Sequence, residues 1–171
     1  MSEENGQNKL KFQLLSAIGE ENVDEIIDLV QNGAKIKDTY EDDWSLLHLS
    51  IAWGKVESTK FLIEFGIEIN SYNPIGQSTL TLAISEDQLE TVDILLQKGA
   101  DPNAVDRSGW SPLLTAIANK NTEIVKLLIM KGTKVNDIDE NGWLPLTLAI
   151  KHHLKDIFYI LVDYSGSTLW F

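Results

Sequence analysis

Gly33, Gly66, Gly99 and Gly132 stand 33 residues apart, and no property of this 171-residue chain limits its fold more than that period. Sliding the sequence by one period aligns further columns. Leu14, Leu47, Leu80, Leu113 and Leu146 form one; Ile18, Ile51, Ile84, Ile117 and Ile150 form a second; Leu29, Leu62, Leu95, Leu128 and Leu161 form a third. Small residues share the column of Ala17, Ser50, Ala83, Ala116 and Ala149, and acids that of Asp24, Glu57, Glu90, Glu123 and Asp156. Within each unit the apolar spacing reads as two short helices. In the fourth, Leu113, Ala116 and Ile117 share one helical face, and after Asn119-Lys120-Asn121 a second run carries Ile124, Val125, Leu128 and Ile129. Each glycine falls where the second helix needs a left-handed residue to end. The acidic column falls in that helix's first turn, where carboxylates meet the positive end of the dipole. So small a helix pair cannot bury its own apolar face, so neighbouring units must stack into one continuous core. The Leu and Ile columns are expected to run through that core, and the Ala/Ser column to mark close helix approach.

Composition bounds what such a stack can be. Apolar residues make up 43% of the chain, enough for a substantial core, yet no run of 18 apolar residues occurs and no membrane span is expected. The start, Met1-Ser2-Glu3-Glu4-Asn5-Gly6, carries neither a signal-peptide core nor an Arg-rich transit segment. There is no cysteine, which excludes disulfides and cysteine-ligated metals and fits a cytoplasmic location. The net charge of -12 is unevenly placed: residues 1–42 carry -6, 43–75 carry -2, 76–108 carry -4, and the last two segments, 109–141 and 142–171, are each balanced. Such acidity repels phosphate backbones, which disfavours nucleic acid, and speeds association with a basic protein.

The repeat columns and turn motifs resemble the ankyrin repeat family. Its pattern, approximately D-x-x-G-x-T-P-L-H-x-A and later G-A-D-x-N, is echoed by Asp43-Trp44-Ser45-Leu46-Leu47-His48, by Gly76-Gln77-Ser78-Thr79-Leu80, by Gly109-Trp110-Ser111-Pro112-Leu113 and by Gly142-Trp143-Leu144-Pro145-Leu146. The tail motif is fullest at Gly99-Ala100-Asp101-Pro102-Asn103. No unit keeps Thr-Pro-Leu-His complete: only His48 retains the histidine, and only Pro112 and Pro145 the proline. The resemblance implies an all-α ankyrin-repeat solenoid of stacked helix-turn-helix units with protruding β-turn or hairpin loops. Residues 1–8 would be a flexible polar tail. Residues 9–164 would be the repeat domain, divided into an N-terminal cap repeat at 9–42, units at 43–75, 76–108 and 109–141, and a C-terminal cap repeat at 142–164. Residues 165–171, ending in Leu169-Trp170-Phe171, would be an apolar tail folded back over the last repeat or serving as a docking tag.

Family resemblance also implies a concave face, lined by turn tips and first helices, where partners dock. The position after the turn glycine carries Trp44, Gln77, Trp110 and Trp143; a second variable position near the end of the first helix carries Trp53, Glu86, Asn119 and His152. Tryptophan is enriched at binding hot spots, so the row is a candidate aromatic anchor strip; alternatively each ring packs across the neighbouring turn. Loop tips add Tyr40, Glu41, Asp42, Tyr72, Asp106, Arg107, Asp139 and Glu140 as an acidic, hydrogen-bonding rim. Arg107, the chain's sole arginine, would meet the partner or pair with Asp106 or Asp139.

Catalytic and cofactor signatures are missing. Neither G-x-x-x-x-G-K-[ST] nor G-x-G-x-x-G occurs, and there is no G-x-S-x-G elbow. His152 and His153 are adjacent rather than spaced as a metal pair on one helical face. Asp137-Ile138-Asp139-Glu140-Asn141-Gly142 mimics half an EF-hand loop, but the twelfth position, which needs a bidentate glutamate, is Leu148. His48 matches the family histidine that bridges turn and helix, and Asn70, Asn103 and Asn136 match its backbone-bonding turn residue. The sequence therefore points to a non-enzymatic, cofactor-free and metal-free module that binds a protein partner with a basic surface and acts as a monomer. Narrower alternatives are an immunity protein neutralising a basic toxin or nuclease, a scaffold self-assembling through its C-terminal tail, and an effector delivered into a host cell.

Overall fold

The computed structural model describes residues 2–37, 40, 43–136, 138 and 142–168. They form five helix pairs: α1 (Ser2–Gly19) with α2 (Val23–Gln31), α3 (Leu46–Ala52) with α4 (Val56–Glu64), α5 (Thr79–Ser85) with α6 (Leu89–Gln97), α7 (Pro112–Ala118) with α8 (Thr122–Met130), and α9 (Pro145–Lys151) with α10 (Lys155–Thr168). Odd-numbered helices stack in one row and even-numbered helices in another. The architecture is the all-α solenoid expected.

Local chemistry sets the boundaries. Ser45, Ser78 and Ser111 cap the first helices, each hydroxyl accepting the backbone N–H three residues on, from His48, Thr81 and Leu114. Leu144 has no oxygen to offer, and Thr147 reaches back instead, its Oγ1 accepting the Leu144 N–H at 3.1 Å. Asn22 and Asn121 cap α2 and α8. Gly33, Gly66, Gly99 and Gly132 all have positive φ and end the second helices as their column requires. At the fifth place of that column stands Ser165, and α10 runs on to Thr168 instead of ending at 164.

One structural detail departs from the sequence reading and a second was not anticipated by it. Residues 2–8, expected as a flexible tail, are helical and extend α1; Glu3, Glu4 and Gln7 are good helix formers and no proline intervenes, although Asn5, Gly6 and Asn8 are not. The turn between the two helices of each unit holds a left-handed residue, and only Gly54 is a glycine there; Glu21, Asp87, Lys120 and His153 adopt φ near +60° with side chains attached.

The core follows the columns. Leu14, Leu47, Leu80 and Leu113 are buried, as are Ile18, Ile51, Ile84 and Ile117. The fifth member differs: Ile150 is 56% exposed, because among the described residues no following unit packs over it. Polar groups stitch the junctions. Carbonyls near the ends of α1, α3 and α5 receive side-chain donors from the following unit: Ile18 O from Ser58 Oγ (3.1 Å), Ile51 O from Gln88 Nε2 (2.7 Å) and Ile84 O from Asn119 Nδ2 (2.9 Å).

Candidate partner-binding face

The turns that precede α3, α5 and α7 repeat one backbone design. Tyr40 N–H donates to Trp44 O, Asn73 N–H to Gln77 O and Asp106 N–H to Trp110 O, at 2.8–2.9 Å. Side chains reinforce it, with Asn73 Oδ1 accepting from Gln77 N and Asp106 Oδ1 from both Ser108 N and Trp110 N. Left-handed residues close the turns: Gly76 and Gly109, but Asp43 in the earliest. Adjacent tips are tied together, because the Arg107 N–H donates to Gly76 O at 2.9 Å. A Cβ at Gly76 would collide with Arg107 Cβ, so only glycine allows this approach. Arg107 thus helps fix the spacing of the tips, a role its sequence context did not reveal.

In the column of Trp44, Gln77, Trp110 and Trp143, Gln77 and Trp143 lie back over the last turn of their own first helices. Gln77 Nε2 donates to Ser85 Oγ at 3.4 Å, and Lys151 Nζ sits 4.2 Å from the Trp143 ring centroid. Trp44, Trp110 and Trp143 are half-buried and pack against the core, and Trp44 meets His48 edge-on at 6.2 Å. Trp53 is the exception, 44% exposed at the end of α3, with its ring against Gly19 of the preceding unit. Both packing and display are therefore present in the row: three rings brace the turns and keep one part at the surface, and the fourth is largely open.

Other candidate residues separate clearly. Tyr72 is 51% exposed, and Glu86, Arg107, Asn119 and His152 are exposed, whereas Gln77 and Asp106 are half-buried. Asn119 is also committed to Ile84 O. Tyr40 needs correction: it was expected on the rim, but it is 5% exposed and packs into the core, with Lys11 Nζ 4.5 Å from its ring centroid. A tyrosine before a turn reads as a tip residue in sequence, and only the fold shows that α1 covers it. Glu41, Asp42, Asp139 and Glu140 lie outside the described residues.

His48 has a structural environment. Its Nδ1 lies 2.7 Å from Ser45 Oγ, the ring is buried, and Nε2 approaches the Ser71 backbone without a bond of good geometry. Burial pushes its pKa down to about 4, only partly opposed by the Ser71 backbone, so the ring is neutral in the fold. Asn70 and Asn103 also work between units. Asn70 donates to Gly99 O and accepts from Asp101 N, and Asn103 accepts from Lys134 N. On the opposite side of the stack, Lys60 bridges Glu57 at 2.8 Å and Glu90 at 3.0 Å across a junction, and these carboxylates raise its pKa. No helix is long and apolar enough to cross a membrane, and no cluster of three or more metal-ligating side chains occurs, among the described residues.

Comparison with known proteins agrees with this geometry. No curated protein matches the chain by sequence. The sequence profile described as ankyrin repeats (three copies) matches residues 14–106 and again residues 103–169, so it spans nearly every helix described above. The chain belongs to the ankyrin-repeat family, whose repeats generally mediate protein–protein interaction and are typically non-catalytic.

Proposed function

We propose that this chain is a non-catalytic module that holds a protein partner with a basic surface across the face made by its turns and first helices. The observation that carries the reading is Trp53, a large aromatic side chain left 44% exposed, on a chain whose Trp44 and Gln77 are half-buried and whose Glu86 is exposed. Exposed tryptophan costs solubility, and in binding faces such rings supply much of the energy. Acidity supports the choice of partner, since the whole excess of -12 precedes residue 109, in the unit that carries Trp44 and Trp53 and the two units that flank it. All these residues come from one chain, so a single copy holds a complete face. The absence of cysteine fits a cytoplasmic setting. The same acidity favours one narrower reading, an immunity protein that blocks a basic toxin or nuclease.

The test starts with capture of a partner from the native source, followed by titration of the purified pair. Trp53→Ala is the informative variant, because that ring contributes least to the core among the four. It is expected to weaken binding by about 30-fold, a hot-spot loss near 2 kcal/mol. The association rate should fall steeply as salt rises. Unchanged affinity in Trp53→Ala and in a Trp44→Ala/Trp110→Ala variant that remains folded would remove this face from consideration.

A further inference from the structure

The two ends of the stack are built differently. At the N-terminal end, the columns that later units bury against a preceding unit carry polar residues: Gln13 where Leu46, Thr79, Pro112 and Pro145 are buried, and Glu25 where Ser58, Thr91, Ile124 and Ile157 are buried. Ser16 and Asp28 join them, both exposed. The end is closed to further stacking. At the C-terminal end, the columns that earlier units bury against a following unit remain apolar: Leu146, Ile150, Phe158 and Val162. Ile150 is 56% exposed and Val162 40%, against at most 9% for Ile84, Ile117, Leu96 and Ile129 in the third and fourth units; Val30, in the first, is partly buried. Between α9 and α10 this face holds a recess of about 280 Å³ that reaches down to Ala149 and is lined by Ile150, Leu154, Phe158 and Tyr159.

We propose that this face is a two-fold interface and that its occupant is the same face of a second copy. Four stacking junctions inside the chain already show what such a surface buries, and the open face continues that series. At the N-terminal end it would meet Gln13, Ser16, Glu25 and Asp28, which would be desolvated against Ile150 and Phe158. Head-to-tail growth is therefore disfavoured, whereas the face is apolar toward a copy of itself, which gives a closed, isologous pair. Charge selects the same arrangement. Residues 109–171 are balanced while everything before them is acidic, so two chains of charge -12 approach with least repulsion through their C-terminal ends. Lys155 and Asp156 stand side by side at the start of α10, so an axis near them sets unlike charges against each other. The pair departs from the monomer expected from sequence. It leaves both partner-binding faces free, and it does not depend on the reading of Trp53.

Sedimentation of the full chain over a wide concentration range tests the proposal. The expected result is a mass that doubles with concentration and rises no further. Ile150→Glu, at a site exposed in the single chain, should weaken association by about 100-fold with the helical circular dichroism spectrum unchanged; Ile150→Ala should weaken it by about tenfold. The chain has no cysteine, so single spin labels at Tyr159→Cys and Gln13→Cys report which ends meet. Strong intermolecular coupling from Tyr159 alone supports the two-fold pair. A monomer at every concentration, species larger than a dimer, coupling from Gln13, or a dimer indifferent to Ile150→Glu would each overturn it.

Discussion

The first and last helix pairs of this stack share a backbone plan and differ in what they turn outward. The first pair presents Gln13, Ser16, Glu25 and Asp28, side chains that water solvates well, and its apolar columns are covered by α3 and α4. The last pair presents Ile150, Phe158 and Val162, the same kinds of residue that the interior hides. Exposure in a solenoid is thus a property of the junction and not of the column. Ile18 and Ile150 occupy one column, yet Ile18 is fully buried and Ile150 mostly open, because only Ile18 has a following unit.

The largest test of that contrast is one substitution made in two places. Ile84→Ala removes a side chain enclosed by α5, α6 and the next unit, and should cost roughly 2–5 kcal/mol through lost burial and a cavity. Ile150→Ala, measured at concentrations low enough to keep the chain monomeric, should cost under about 1 kcal/mol, since much of that side chain is already in water. Urea denaturation of the two variants measures both. Equal costs would mean that the open end is covered in solution even in the monomer, and the comparison between ends would fail.

Much of this contrast was legible in the sequence, and its limits have physical causes. The period located the helices, the glycine column and the buried leucines, because stacking imposes one environment on each column. Departures from a column were harder to weigh. Ser165 in place of glycine signalled an altered ending, but not that α10 would continue to Thr168. The apolar columns of the fifth unit read as more core although that unit was expected to be a cap, since residue type in a column does not say whether its outer face is covered. Tyr40 was misplaced for the opposite reason: its cover is Lys11, on a helix whose length exceeds that of the other first helices. Asn70 and Asn103 were read as local turn residues and Arg107 as a contact to the partner or to Asp106 or Asp139, yet all three bond into the next or preceding unit through groups the sequence did not single out. Periodicity gives each residue's place within a unit but not the partner it meets across the junction.

A second test uses the histidine buried within the stack. His48 shares its column with Thr147, which is exposed at the open end, while His48 is enclosed near Ser45 and Ser71. Unfolded, it titrates at its ordinary 6.5; in the fold it is held down to about 4. Between those values the unfolded chain binds the proton and the folded chain does not, so stability rises with pH across this window. The contribution is complete above pH 6.5 and is lost as pH falls toward 4, on the order of 3 kcal/mol in all. Urea midpoints compared between wild type and His48→Gln isolate it: the wild type should lose more stability on acidification. Parallel curves would show that the ring is solvated in the fold and that this junction is looser than the interior it represents.

The smallest effect is a control on the whole comparison. Lys120 and His153 occupy the same left-handed turn position, one at an interior junction and one at the open end, with φ of 61° and 56°. Backbone strain is local and does not depend on whether a further unit follows. Replacing either by glycine, as Gly54 already stands in the second unit, should stabilise the chain by about 0.5–1 kcal/mol, the relief of a left-handed side chain less the added entropy of the unfolded state. The gains at Lys120→Gly and His153→Gly should agree within a few tenths of a kcal/mol in thermal or urea unfolding. Agreement there, beside a large difference between Ile84→Ala and Ile150→Ala, would place the distinction between the ends in side-chain burial. A gain confined to Lys120→Gly would instead mean that α9 and α10 fray before the rest unfolds, and the small cost expected for Ile150→Ala would then reflect local opening as well as solvent exposure.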